Sequence, residues 1–156
     1  MTAIKHILVA TDGSSGALRA AALAGDLAQA ISARVSLIYV QSDELVMPHM
    51  WGPGEFPASD TYASLNVDQV RELLDQNVMA KEIPESLAAL GECSEKPQVT
   101  LVWGHPADEI CNYANKHDVD LIVIGSHGRS GLKEMLLGSV SHAVANRGPC
   151  PVTVVR

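Results

Sequence analysis

The chain has 156 residues, of which 47% are hydrophobic and 4% are aromatic. That length suits one domain spanning residues 1–156, and the composition provides an aliphatic core without resembling that of a membrane protein. Its 11 basic and 18 acidic side chains give a net charge of −7, which repels nucleic acid backbones and acidic membranes. We therefore expect neither nucleic acid binding nor membrane insertion.

The beginning of the chain and its cysteines bear on its location. Residues 1–8 contain neither a charged leader nor the long apolar segment of a secretory signal. Cys93, Cys111 and Cys150 are odd in number and widely spaced, which favours neither a disulfide framework nor a zinc site. These features predict a cytoplasmic protein with reduced thiols.

The first part of the chain alternates strand and helix patterns. Apolar runs at residues 4–10 and 35–40 predict two strands, the second of which ends near Gln41. Between them, alanines at helical spacing predict a helix whose N-cap is Ser14 or Ser15. This alternation is typical of βαβ units.

The middle of the chain has a different composition. Residues 47–57 contain three prolines and two glycines, so we predict a long loop over residues 42–60. Trp51 and Phe56 are unusual in a solvated loop, and they suggest that it folds over a pocket or a partner. Residues 62–90 have a mostly helical pattern, which Pro84 is expected to kink or divide.

The last part of the chain returns to the first pattern. Strands are predicted at residues 99–103, 121–124 and 152–155, with helices that begin at Pro106 and Ser139. Five strands and four helical segments predict an α/β fold with a doubly wound parallel sheet, Rossmann-like or flavodoxin-like. We expect the strand order 3-2-1-4-5 and two helices on each face.

Small residues follow the fourth predicted strand. Gly125 and Gly128 come where the chain leaves that strand, and Gly138 and Ser139 precede the last predicted helix. Open α/β sheets bind ligands at the carboxyl ends of their strands, and a glycine loop before a helix N-terminus presents backbone N–H groups to phosphate. The spacing matches neither Walker A nor G-x-G-x-x-G, which disfavours a P-loop NTPase. The pattern therefore predicts nucleotide binding of another kind.

The region over residues 120–140 resembles the universal stress protein family. ATP-binding members of that family carry G-x2-G-x9-G-(S/T), which Gly125, Gly128, Gly138 and Ser139 match without a gap. Residues 9–14 and 150–155 are similar to further family signatures, so the resemblance spans essentially the whole chain. It implies an ATP-binding protein that forms a homodimer through its final strand, over residues 152–155.

The resemblance also implies a set of site residues. Asp12 would accept hydrogen bonds from the ribose or the adenine amine, Val40 would contact the adenine, and backbone N–H groups with the hydroxyls of Ser139 and Ser141 would hold phosphate. The full predicted set is Ala10, Thr11, Asp12, Val40, Ile124, Gly125, His127, Gly128, Arg129, Gly138, Ser139, Val140 and Ser141.

Without the resemblance, several of these residues have ordinary interpretations. Asp12 is then equally well a turn aspartate, and Val40 a core residue. Arg129 is as readily a solvated loop side chain as a phosphate ligand, and His127 a turn residue with no role.

The expected ligand is ATP, or AMP or ADP in its place. Mg²⁺ or Mn²⁺ is expected only with the nucleotide, because the histidines and carboxylates have no metal-binding spacing. The predicted function is that of a nucleotide-dependent regulator in the stress response, with an unidentified protein partner and slow hydrolysis at most. Alternatives are a weak ATPase or nucleotidyl-transfer enzyme and a partner-binding dimer that needs no nucleotide. A flavin carrier is disfavoured because Asp12 would repel the FMN phosphate.

Overall fold

A computed structural model describes residues 3–41, 63–65, 81–128 and 137–156, with the backbone alone for 63–65. Its strands are β1 (His6–Thr11), β2 (Arg34–Gln41), β3 (Ala63–Leu65), β4 (Gln98–Trp103), β5 (Leu121–Gly125) and β6 (Val152–Val155). Its helices are α1 (Ser15–Ile31), α2 (Glu82–Leu90), α3 (Pro106–Lys116) and α4 (Ser139–Arg147).

The described strands form one sheet in the order β3-β4-β2-β1-β5-β6. All neighbours from β4 to β6 are parallel, so the predicted five-stranded parallel sheet with the order 3-2-1-4-5 is confirmed. β3 adds a short antiparallel strand beyond β4 that the sequence analysis did not predict. The chain runs outward from β1 to β4 and then crosses back to β5, so the strand order reverses between β1 and β5.

Helix α1 begins and packs as its sequence predicts. Ser14 is its N-cap, and the Ser14 hydroxyl accepts a hydrogen bond from the amide of Ala17 at 3.2 Å. Its buried face is built from alanines and glycines, so neighbouring elements approach its backbone closely. At Gly25, a Cβ atom would overlap the backbone of Leu90 in α2. Small residues therefore set the short distance between these two helices.

Two hydrophobic clusters lie on the two faces of the sheet. One cluster joins the sheet to α1 and α2, and the other joins it to α3 and α4. The described helices thus lie two on each face, as predicted. None of these helices is both long enough and apolar enough to cross a membrane.

The prediction of a mostly helical segment over residues 62–90 is wrong near its beginning. Ala63–Leu65 is a strand, because its backbone pairs with the edge of β4. Pro84 is the third residue of α2, in the first turn, where its missing N–H costs no helical hydrogen bond. It therefore lies at a helix start, close to the predicted division near Ile83, and residues 66–80 lie outside the described residues. The predicted loop over residues 42–60, with Trp51 and Phe56, lies outside the described residues.

Candidate functional site

A cavity of about 260 Å³ lies at the carboxyl ends of β1 and β5, where the strand order reverses. This is the position at which open α/β sheets bind ligands. The structure brings together twelve of the predicted site residues along its wall: Ala10, Thr11, Asp12, Val40, Ile124, Gly125, His127, Gly128, Gly138, Ser139, Val140 and Ser141. Arg129 lies outside the described residues.

Asp12 follows β1 directly and forms one wall of the cavity. Its Oδ1 accepts a hydrogen bond from the amide of Ser14 at 3.0 Å, so Asp12 does shape a turn before α1. On the opposite side, a Cβ atom placed on Gly128 would lie 2.6 Å from Oδ2 of Asp12. The two interpretations of Asp12 are therefore compatible, since one oxygen serves the turn while the residue lines the cavity.

Thr11 borders the cavity but directs its hydroxyl to the other face of the sheet. Oγ1 of Thr11 lies 2.7 Å from Oγ of Ser86 in α2, and it accepts a hydrogen bond from the amide of Gly13 at 3.1 Å. Because successive side chains of a strand point to opposite faces, Thr11 shares its face with Val9 and not with Ala10. Its contribution to the cavity is therefore its backbone.

The N-terminus of α4 also lines the cavity. The N-cap is Gly138, which has no side chain to cap the helix, and its own amide donates to the carbonyl of Ser126 at 2.7 Å. The amides of Ser139 and Val140 occupy the first turn, where no helical carbonyl is available to them. Backbone donors and the positive end of the helix dipole thus lie beside the cavity, a combination that favours anions.

Ser141 has a different role from the one expected. Its buried hydroxyl lies 2.8 Å from the carbonyl oxygen of Ser126 and 3.0 Å from that of Gly138. Since a carbonyl only accepts, the single proton of this hydroxyl is directed to these two oxygens and not toward a phosphate. Ser141 therefore joins the two described ends of the glycine motif, at Ser126 and Gly138.

Gly125 brings β5 and α1 into contact. A Cβ atom on Gly125 would lie 2.6 Å from the carbonyl carbon of Gly16 and 2.8 Å from the amide nitrogen of Ala17. The Ser14 hydroxyl also donates to the carbonyl of His127 at 3.3 Å. The first glycine of the motif is therefore required for packing, and the loop that follows is held against the start of α1.

The sequence analysis missed the apolar end of the cavity. The additional lining residues are Ser14, Ala17, Ile38, Pro106 and Ile110. Ile38 was detectable, because it lies two residues before Val40 on the same face of β2. Pro106 was detectable as well, because it begins a helix directly after the carboxyl end of a predicted strand.

The described lining of the cavity carries little charge. Among these residues, Asp12 is the one carboxylate and no lysine or arginine is present. Among the described groups, the backbone dipoles at the start of α4 are therefore what favours the negative charge of a phosphate. The described part of the chain contains no group of three or more His, Cys, Asp or Glu side chains placed to hold a metal ion.

Comparisons with known proteins agree with this architecture. The model of the universal stress protein family matches residues 3–156. The universal stress protein YxiE of Bacillus subtilis (strain 168) is 35% identical over 156 residues, covering 96% of this chain and 97% of that protein. The solved structure of universal stress protein UspA from Lactobacillus plantarum is 27% identical, covers both chains fully and has a TM-score of 0.71. A universal stress protein solved in complex with cAMP is 27% identical over 99% of this chain and 98% of its own, with a TM-score of 0.62.

Proposed function

Because the chain belongs to the universal stress protein family, we propose that its cavity binds an adenine nucleotide, with ATP as the first candidate and AMP or ADP as the others. One observation carries the proposal: a single cavity is lined both by Asp12 and by the start of α4, whose N-cap Gly138 makes no side-chain cap hydrogen bond. The cAMP complex of a related protein supports the class of ligand.

The cavity offers a suitable environment for each part of a nucleotide. Ile38, Val40 and Ile110 form an apolar end that suits the adenine ring. Asp12 provides an acceptor for ribose hydroxyls, and the amides of Ser139 and Val140 provide donors for phosphate. A metal ion would come with the nucleotide as Mg²⁺ or Mn²⁺, since Asp12 is the one carboxylate among the described lining residues.

The described lining residues favour binding over rapid chemistry. Phosphoryl transfer requires a positioned base or water together with positive charge at the transferred group. Asp12 has one oxygen engaged with Ser14, and no lysine or arginine is among the described lining residues. We therefore propose a cytoplasmic regulator of the stress response whose nucleotide state determines its contact with a protein partner, with slow hydrolysis at most.

The final strand supports a second part of the proposal, a homodimer through Val152–Val155. β6 is the last strand of the sheet and pairs with β5 on one side. The carbonyls of Pro151 and Val155 accept hydrogen bonds from the amides of Ile122 and Ser126. Because the backbone groups of successive residues in a strand point to opposite sides, those of Val152 and Val154 point outward from the sheet edge. An apolar edge of this kind is covered in native proteins, and pairing with a second copy would cover it.

The nucleotide proposal is tested by calorimetric titration with MgATP. Asp12→Asn keeps an oxygen for the Ser14 amide but presents an NH₂ group where the ribose needs an acceptor. We expect binding about 10–100-fold weaker than that of the wild type, as for a lost hydrogen bond to a charged group. Asp26→Asn is the matched control, because it removes the same charge from the exposed face of α1. A wild type that does not bind MgATP, AMP or ADP contradicts the proposal.

The dimer is tested by light scattering, in which the wild type should have twice the 16.6 kDa mass of one chain. Val154→Pro removes an outward N–H without removing a bond to β5, and it should give a folded monomer. Val154→Thr keeps that N–H and should remain a dimer. A monomeric wild type, or a Val154→Pro variant that stays dimeric, contradicts this part of the proposal.

A further inference from the structure

A chain of hydrogen bonds links the turn after β1 to α2. Oγ of Ser86 lies 2.7 Å from the carbonyl oxygen of Glu82 and 2.7 Å from Oγ1 of Thr11. Because the carbonyl only accepts, Ser86 donates its proton to Glu82 and accepts the proton of Thr11. Thr11 in turn accepts the amide proton of Gly13 at 3.1 Å. All donors therefore point in one direction, from the turn after β1 to the backbone of α2.

This chain is buried, so its members cannot exchange a lost partner for water. Ser86 is 0% exposed and Thr11 is 7% exposed. A second contact joins α2 to the same turn: the side chain of Glu82 fills the space that a Cβ atom of Gly13 would need. Gly13 also has a φ of +75°, a conformation that favours glycine. Helix α2 thus holds this turn both by hydrogen bonds and by packing.

The turn carries the carboxylate of the cavity. Asp12 lies between Thr11 and Gly13, its Oδ1 accepts from Ser14 within the turn, and its Oδ2 lies against Gly128. Little space is left for Asp12 to adjust if the backbone on either side moves. The position of this carboxylate therefore depends on a helix packed on the opposite face of the sheet.

We propose that Thr11 and Ser86 are positioning residues for nucleotide binding, which hold the Asp12 carboxylate in place from the α2 side of the sheet. The inference rests on the proposed function, because it concerns the same cavity. Ser86 does not line the cavity, and the Thr11 hydroxyl points away from it, so both act through the Asp12 turn. By thermodynamic reciprocity, a nucleotide that engages Asp12 also stabilises the contact of this turn with α2.

The test compares MgATP affinities by calorimetry in variants that keep side-chain size. Thr11→Val and Ser86→Ala should each weaken binding by roughly three- to tenfold, and Thr11→Ser, which restores the hydroxyl, should bind within about twofold of the wild type. Thr100→Val is the matched control, because Thr100 is 1% exposed on β4, bonds to Tyr113 and does not line the cavity. It should lose stability but keep its affinity.

A second measurement follows the opposite direction of the coupling. Hydrogen exchange of the α2 amides should slow when MgATP is added to the wild type, and the effect should be smaller in Ser86→Ala. This variant also keeps the test available if Thr11→Val does not fold.

The outcomes separate the two proposals. A wild type that does not bind MgATP overturns the proposed function itself. If the wild type binds and both Thr11→Val and Ser86→Ala bind within about twofold of it, the nucleotide site stands and the positioning role is refuted. Equal losses of affinity in Thr11→Val and Thr100→Val also refute it, because they indicate a general loosening of the fold.

Discussion

Gly125 illustrates how a glycine in a ligand-binding motif is required for packing. Its backbone does not have a positive φ, so an alanine is not excluded by conformation. The obstacle is steric, since an added Cβ atom would lie 2.6, 2.8 and 2.9 Å from three backbone atoms of Gly16 and Ala17. Backbone atoms in the first turn of a helix cannot rotate away as a side chain can, so Gly125→Ala must push α1 away from β5.

The expected cost follows from overpacking. Inserting one methyl group into such a contact destabilises by about 1–3 kcal/mol, which corresponds to a melting temperature lower by about 3–10 °C in a domain of this size. The measurement is urea unfolding and thermal unfolding followed by circular dichroism, at one protein concentration because dimerisation would shift both.

Gly138→Ala is the matched control for this prediction. Its Cβ atom would lie 3.2 Å from the carbonyl oxygen of Ser126 and 3.4 Å from Cα of His127, contacts that a shift of a few tenths of an ångström relieves. We expect a loss of stability below about 1 kcal/mol. The reasoning is refuted if Gly125→Ala is as stable as the wild type, or if Gly138→Ala is the less stable of the two.

Two ionisable side chains, His6 and Arg147, and the C-cap glycine of α2, Gly91, can be tested in the same way. Burial, followed by the nearby Arg34 guanidinium, lowers the pKa of His6, which is 3% exposed. The unfolded chain therefore binds a proton near pH 6.5 that the folded chain does not, so the free energy of unfolding should fall as the pH drops below about 6.5. Urea unfolding from pH 7.5 to 5.5 should show that this free energy depends less steeply on pH in His6→Gln than in the wild type. An equally steep dependence in both proteins would contradict the role of His6. The ion pair between Arg147 and Asp108, at 2.7 Å, is about half exposed, so Arg147→Ala should change the free energy of unfolding by less than about 1 kcal/mol. A larger loss would contradict the small contribution expected of an exposed ion pair. Gly91→Ala meets no atom within 4 Å but has a φ of +68°, so it should cost about 1 kcal/mol through backbone strain alone, and a neutral result would count against that strain.

Much of the architecture was predictable because its signals are local. Buried parallel strands are continuous apolar runs, as in the Ile122–Ile124 part of β5, and Ser14 marks the start of α1 with a cap that involves residues three apart. The carboxyl ends of β1 and β5 then necessarily lie at one edge of the sheet. This edge brings Asp12 and the glycine motif to one cavity, and the resemblance to the universal stress protein family supplied the rest of the twelve predicted residues that line it.

The errors lie where a distant partner decides the conformation. The Ala63–Leu65 segment was predicted within a helical pattern, but pairing with β4 makes it a strand, because tertiary hydrogen bonds outweigh weak local preference. Pro84 was correctly identified as incompatible with a helix interior. Only the position at which α2 begins shows that this proline lies in a first turn instead.

The amino-acid sequence by itself determined the class of fold and the edge of the sheet that carries the cavity, since these follow from hydrophobic period, caps and glycine spacing. The tertiary structure alone decided what individual side chains do there. The Ser141 hydroxyl donates to the carbonyl of Ser126, and Gly125 leaves room for the backbone of α1. The Thr11 hydroxyl bonds to that of Ser86, 75 residues away in sequence. The physical reason is that hydrogen bonds and steric contacts act over a few ångströms in space, and the partners of these residues become neighbours only when the helices pack on the sheet.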